Sequence, residues 1–232
     1  MGIDENYTAL YRARQNAHAY PNEFAIRTFL GGYLTLPAVL RDISSYKAKH
    51  ILDLGCGDGR NMPLFNNCGM NIFGTEVSEE ACTAVTDRMK LLDIRCDVRV
   101  GRNNRIPFPD GMFDFVFASG VLSFVDEGDA FRQNLVEPKR VLKDGGLFIF
   151  YLLNSNSSQV LSSKKLTGGY YRVEGDPFGR INGSRVRAFS DRKEIERELS
   201  DLFKIESFGS SNISVYDFFS IDMWWLVCSK KI

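Results

Sequence analysis

The residues with the clearest chemical use lie in the run Asp53-Leu54-Gly55-Cys56-Gly57-Asp58-Gly59. Glycines let a backbone approach a ligand closely, because no Cβ intervenes. These follow the apolar run His50-Ile51-Leu52-Asp53-Leu54 and precede a helix-like stretch, so they sit where a strand turns into a helix. In open α/β sheets that turn is where ligands bind. About twenty residues on, Glu76 closes a second apolar run, where a carboxylate can accept both hydroxyl protons of a ribose. Together these residues read as a nucleoside-binding site. A dinucleotide fingerprint needs a third glycine where this chain has Arg60, and a phosphate loop needs Gly-Lys-Ser/Thr after the glycines.

The elements that must position these residues alternate along the chain. Short apolar runs at 50–54, 71–77, 97–100, 113–118 and 147–152 predict strands. Helical stretches are expected at 78–91, with Ser78 as its N-cap, at 130–142 and at 191–202. Two late strands are expected near 203–208 and 223–229. Strand–helix alternation predicts an α/β, doubly wound, mostly parallel seven-stranded sheet. The segment 7–43 reads as helical, broken by Pro21 and by Gly31-Gly32. Two regions follow: an N-terminal helical cap over 1–46, and a nucleoside-binding domain over 47–232. The latter includes a Ser-, Gly- and Arg-rich insertion at 155–190, preceded by Asn154. Tyr170, Tyr171, Val173 and Phe178 give that insertion something to pack, and its length suits a lid.

Composition narrows the function classes. The 232 residues carry 29 Lys plus Arg against 29 Asp plus Glu. That balance argues against a nucleic-acid or polybasic membrane partner. The 5 cysteines are odd in number and form no CxxC pair, so no zinc site or disulfide framework is expected and no metal is assigned. No CxxxCxxC run is present to hold an iron–sulfur cluster. No signal peptide or membrane span is read, and a cytoplasmic setting is expected. His18 and His50 are the two histidines. His50 opens a strand, and His18 is the candidate general base. Asp126, Glu127 and Asp129 are expected to cap the helix that follows them.

Four stretches stand in the order and spacing of one known family: Ile51–Gly59, Gly74-Thr75-Glu76-Val77-Ser78, Ile106–Asp114 and Arg140-Val141-Leu142-Lys143-Asp144-Gly145-Gly146. Over roughly residues 48–152 the chain resembles the class I S-adenosylmethionine (SAM)-dependent methyltransferases, especially the small-molecule branch related to ubiquinone and menaquinone methyltransferases. The resemblance implies a Rossmann-like fold, SAM as methyl donor, S-adenosylhomocysteine (SAH) as product and a small-molecule acceptor. By that resemblance Gly55, Cys56 and Gly57 lie against the methionine part of SAM, with Asp53 near its amino group. Glu76 holds the ribose hydroxyls, Val77 packs on the adenine, and Ser119-Gly120-Val121 pass near the sulfonium. The chain departs from the family in having Arg102 after Gly101, where the family has an Asp that accepts from the adenine amino group. Arginine has only donors, so that task passes to Asn103, Asn104 or a backbone carbonyl, with the Asn103 amide meeting a ring nitrogen. Asn154, Tyr170, Tyr171 and Arg172 are candidates for contact with the acceptor. Three alternatives stay open: a non-catalytic SAM-binding partner or sensor, a nucleic-acid or protein methyltransferase, and an NAD oxidoreductase. The Asn/Asp-Pro-Pro-Tyr/Trp motif of DNA amino-methyltransferases is replaced by Ser119-Gly120-Val121-Leu122.

Overall fold

The computed structural model describes residues 20–176, 179–216 and 218–231. His18 and Phe178 lie outside these residues.

Helix α1 (Glu23–Leu30) starts just after Pro21, where Asn22 caps it by accepting from the Ala25 amide at 2.7 Å. It ends at Gly31. The expected helical run to residue 43 is corrected beyond that point: two short 3₁₀ turns, Ala38–Leu40 and Ile43–Tyr46, follow instead. The buried face of α1 presents Phe24, Ala25, Thr28 and Phe29. Phe24 stacks on Phe117 of the central sheet at 5.5 Å between ring centroids, and Phe29 packs on it tilted, at 5.9 Å. Residues 24–46 therefore share the core of the sheet.

The strands are β1 (His50–Leu54), β2 (Asn71–Glu76), β3 (Cys96–Val100), β4 (Phe113–Ala118), β5 (Leu142–Leu153), β9 (Phe203–Val215) and β10 (Phe219–Lys230). They form one seven-stranded sheet in the order β3-β2-β1-β4-β5-β10-β9, in which only β10 runs against the rest. Helices α2 (Met62–Asn67), α3 (Glu79–Leu91), α4 (Gln133–Val141) and α6 (Arg192–Leu199) connect them. Side chains alternate between two apolar layers, as a strand's period of two requires. Leu52, Val116, Phe148 and Phe150 enter one layer; Ile51, Phe115, Phe117 and Ile149 enter the other. The apolar runs are near-continuous because both faces are covered.

Ser78 caps α3 as expected, accepting from the Ala81 amide at 3.2 Å. The expected cap on α4 is corrected: the helix begins at Gln133, and Arg132 at its N-cap makes no side-chain capping bond. The late strands are also longer than the sequence suggests. Residues 209–214, mostly polar, pair through their backbones with β10, so the hairpin outruns its apolar part.

The insertion is a small module. It holds helix α5 (Ser158–Leu161) and a three-stranded antiparallel sheet, β6 (Lys164–Lys165), β7 (Tyr170–Arg172) and β8 (Arg185–Arg187). Val160, Val173, Ile181, Val186 and Ala188 give it an apolar cluster with Leu153. A bridge from Val186 to Phe124 docks it on the loop after β4.

Candidate functional site

The chain runs from β1 outward through β2 to β3, then crosses back to place β4 on the other side of β1. The switch point therefore falls at the carboxyl ends of β1 and β4, where a crevice forms. A cavity of about 520 Å³ occupies it.

Its floor is the glycine loop. Gly55 and Gly57 both have φ of +63°, the left-handed region. A Cβ on Gly55 would stand 2.6 Å from Val121 Cγ1, so the loop and the turn after β4 touch backbone to side chain. The loop is tied to β2. Gly55 N–H donates to Thr75 Oγ1 at 3.1 Å, and Gly57 N–H donates to Glu76 Oε1 at 2.6 Å. The other carboxylate oxygen of Glu76 accepts from the Val77 amide at 3.0 Å. The Cys56 thiol is buried among Gly74, Cys82 and Cys96, and burial pushes its pKa well up. Its amide is held by the Thr75 carbonyl at 3.0 Å.

Asp53 lies behind this floor, 1% exposed. Burial raises its carboxyl pKa well above the ordinary range, and the negative charges of Glu76 and Asp58 push the same way, against a side-chain hydrogen bond from Asn61. Its Oδ2 has no hydrogen-bond partner among the described residues. An orphaned buried acceptor of this kind suits a cationic or N–H donor. Asp58 behaves oppositely. Burial would raise its pKa, but the Arg60 guanidinium, 2.7 Å away, holds it below the usual range.

The opposite wall is Ser119, Gly120 and Val121 with Tyr151 of β5. Asn22 joins it from the N-terminal segment: its Nδ2 donates to Ser119 Oγ, and its amide donates to Asn61 Oδ1 at 3.1 Å. Sequence reasoning missed Asn22, Asn61 and Tyr151. Asn22 carried a signal, an N-cap residue after a proline.

The third wall is the turn after β3. Arg102 and Arg105 exchange backbone bonds at 3.0 Å, and the Arg102 guanidinium meets Asp126 at 3.6 Å. Asn103 Nδ2 donates to the carbonyls of Val121 and Phe124, at 2.8 and 3.4 Å. Asn104 Nδ2 donates to Asp129 at 2.6 Å, and Glu127 pairs with Arg172 at 2.5 Å. The acidic cluster thus ties this turn and the insertion to the loop after β4.

Gly55, Cys56, Gly57, Glu76, Val77, Arg102, Asn103, Ser119, Gly120 and Val121 all line the one cavity. The four acceptor candidates do not. Tyr170 accepts from the Phe131 amide at 2.8 Å and carries the Arg185 guanidinium on its ring at 4.0 Å. Tyr171 packs on the insertion's apolar cluster, Arg172 is held by Glu127, and Asn154 bridges to Phe189. These roles follow from β7 pairing with β8, which turns the segment into sheet rather than cavity wall. The insertion reaches the cavity through Arg180, Ser184 and Arg185 instead. Among the described residues no group of His, Cys, Asp and Glu is placed to hold a metal ion.

Residues 52–150, which carry the glycine loop, Glu76 and the turn after β4, match the methyltransferase domain family. The chain carries a methyltransferase domain. Sterol 4-C-methyltransferase of Caenorhabditis elegans is 29% identical over 192 residues, covering 79% of this chain and 55% of the relative. Demethylmenaquinone methyltransferase of Listeria welshimeri is 25% identical over 179 residues, covering 75% of this chain and 74% of the relative. The crystal structure of a SAM-dependent methyltransferase from Methanosarcina mazei superposes with a TM-score of 0.67 at 21% identity, over 85% of this chain and 99% of that one. The expected class I fold is thereby borne out, and the methyltransferase is an enzyme of the transferase class. Among its described residues no helix is long and apolar enough to cross a membrane.

Proposed function

We propose that the methyltransferase binds SAM in this cavity and transfers its methyl group to a small-molecule acceptor in the cytoplasm. The observation that carries the reading is the pair of acceptors on either side of the glycine loop. Glu76, anchored by the Gly57 and Val77 amides, presents a carboxylate at the end of β2. Asp53, buried behind the loop at the end of β1 and outside the cavity lining, keeps an orphaned Oδ2 that an N–H donor would satisfy. A ribose diol and an α-ammonium group are the donors that such a pair fits. When bound, SAM supplies a methyl group already activated on a positively charged sulfur. The protein's contribution is then to orient the acceptor and exclude water.

A small acceptor is supported by the module that roofs the cavity through Arg180, Ser184 and Arg185, and by the balanced charge. The sterol and demethylmenaquinone activities named for two relatives point the same way. Calorimetry with SAH and with NAD tests the cofactor: SAH is expected to bind and NAD not. Tight NAD binding without SAH binding would reverse the assignment. Turnover of labelled SAM with a metabolite pool then separates an enzyme from a SAM sensor, since a sensor transfers no label.

A further inference from the structure

Ser184 lines the cavity from the insertion, just ahead of β8. Both of its backbone groups are spent inside the module. Its amide donates to the Ile181 carbonyl at 3.0 Å, and its carbonyl accepts from the Val173 amide at 2.9 Å. Its hydroxyl is buried and has no hydrogen-bond partner among the described residues. Arg185 lines the same cavity. Its guanidinium lies on the Tyr170 ring at 4.0 Å, and its Nη1 donates to the carbonyls of Asp126 and Asp129, both at 2.9 Å. These contacts hold the group in place but bring it no counter-charge. Among the described residues Arg185 forms no ion pair, and its Nε and Nη2 donate to no acceptor. Arg180 adds a second guanidinium to this wall, on a loop that Asp176 holds by accepting from the Arg180 and Ile181 amides at 2.6 and 3.2 Å.

We propose that Ser184 and Arg185 are specificity-determining residues that recognise a carboxylate on the methyl acceptor, which is thus a small organic acid. The inference rests on the cavity being the SAM site. A half-buried cation without a counter-charge and a buried hydroxyl without a partner are each costly alone. One carboxylate answers both, since it accepts the Ser184 proton and pairs with the planar donor fork of Arg185. The neighbouring acids set the charge of the guest. Asp126 is paired with Arg102 and Glu127 with Arg172, while Asp129 accepts from Asn104. Two of these acids give Arg185 their backbone carbonyls, so their carboxylates stand beside it. That crowding favours a monoanion over a phosphate dianion, because each further negative charge meets the same acids.

Benzoate, its neutral isostere benzamide and phenyl phosphate are titrated by ligand-observed NMR into the full chain saturated with SAH, so that the SAM site is filled. Benzoate is expected to bind about tenfold more tightly than benzamide, and more tightly than phenyl phosphate. Ser184→Ala removes an unpaired hydroxyl and is expected to fold. It should weaken benzoate about tenfold and leave benzamide and SAH unchanged. Arg185→Gln, which keeps a side-chain donor for the loop carbonyls, is expected to lose the preference for benzoate over benzamide. Ser184→Ala alone decides where Arg185→Gln does not fold. No binding of benzoate, equal binding of benzoate and benzamide, a preference for phenyl phosphate, or a Ser184→Ala variant equal to wild type would each overturn the proposal and leave the cofactor reading standing. Failure of the wild type to bind SAH would overturn the cofactor reading, and this one with it.

Discussion

Gly57 donates its amide to the Glu76 carboxylate at 2.6 Å, so the glycine loop after β1 is held by the residue that closes β2. The same carboxylate both shapes the loop and faces the cavity. Glu76→Ala therefore removes two things, a charge-assisted anchor and an acceptor for the ribose. It is expected to cost about 1.5–3 kcal/mol of SAH affinity. Glu76→Gln, which keeps one oxygen, is expected to cost less. Calorimetry on folded variants checks both, and equal affinities for all three would remove Glu76 from the site.

Asp53 predicts a pH dependence of the ligand-free protein. Burial raises its folded-state pKa above the unfolded value of about 3.9. Its contribution to stability is thus fully present below about pH 4 and is lost as pH rises through the raised pKa. Asp53→Asn has no charge to bury and keeps an oxygen for Asn61. The melting temperature of Asp53→Asn minus that of wild type is expected to increase from pH 4 toward neutrality. SAH, offering its ammonium to the carboxylate, should shrink that difference. A pH-independent difference would show that Asp53 is not held neutral.

Gly55 is constrained twice, by its φ of +63° and by Val121. Gly55→Ala is expected to lower stability by at least about 1–2 kcal/mol from the left-handed backbone alone, and to abolish measurable SAH binding. Adding Val121→Ala relieves the clash but not the backbone strain. Recovery of SAH binding in the double variant should therefore be partial, and full recovery would mean that the contact alone matters.

Asn103 spends its NH₂ on two carbonyls of the turn after β4, which leaves its Oδ1 as the atom to meet an adenine amino group. Asn103→Leu is expected to weaken SAH up to about tenfold. S-inosylhomocysteine, with a carbonyl in place of the amino group, should be indifferent to the substitution. An SAH complex in which no group from Arg102 to Asn104 lies within about 3.2 Å of an adenine nitrogen would sink this assignment.

Ser184 is 2% exposed, and its hydroxyl has no partner among the described residues. Burying an unpaired hydroxyl costs about 1–3 kcal/mol. Ser184→Ala is expected to recover part of that as increased stability in urea. A loss of stability would show that the hydroxyl is in fact satisfied.

The sheet and the glycine loop were legible from the sequence because their signals are local. A strand buried on both faces needs an apolar run, and a ligand-facing turn needs glycines at left-handed φ, so 50–59 and 71–76 declare themselves. For the same reason the residues from Gly55 to Val121 expected at the site do line one cavity. What the sequence left open depends on pairing at a distance. Tyr170 and Tyr171 have the chemistry of contact residues, but the β7–β8 ladder turns them to packing and brings Arg180 and Ser184 to the cavity. Asn22 reaches Ser119 across 97 residues of chain, and only the docking of α1 on Phe117 creates that bond. The raised pKa of Asp53 is likewise tertiary. Desolvation and relayed hydrogen bonds depend on what surrounds a group in space, and no local pattern of residue types encodes them.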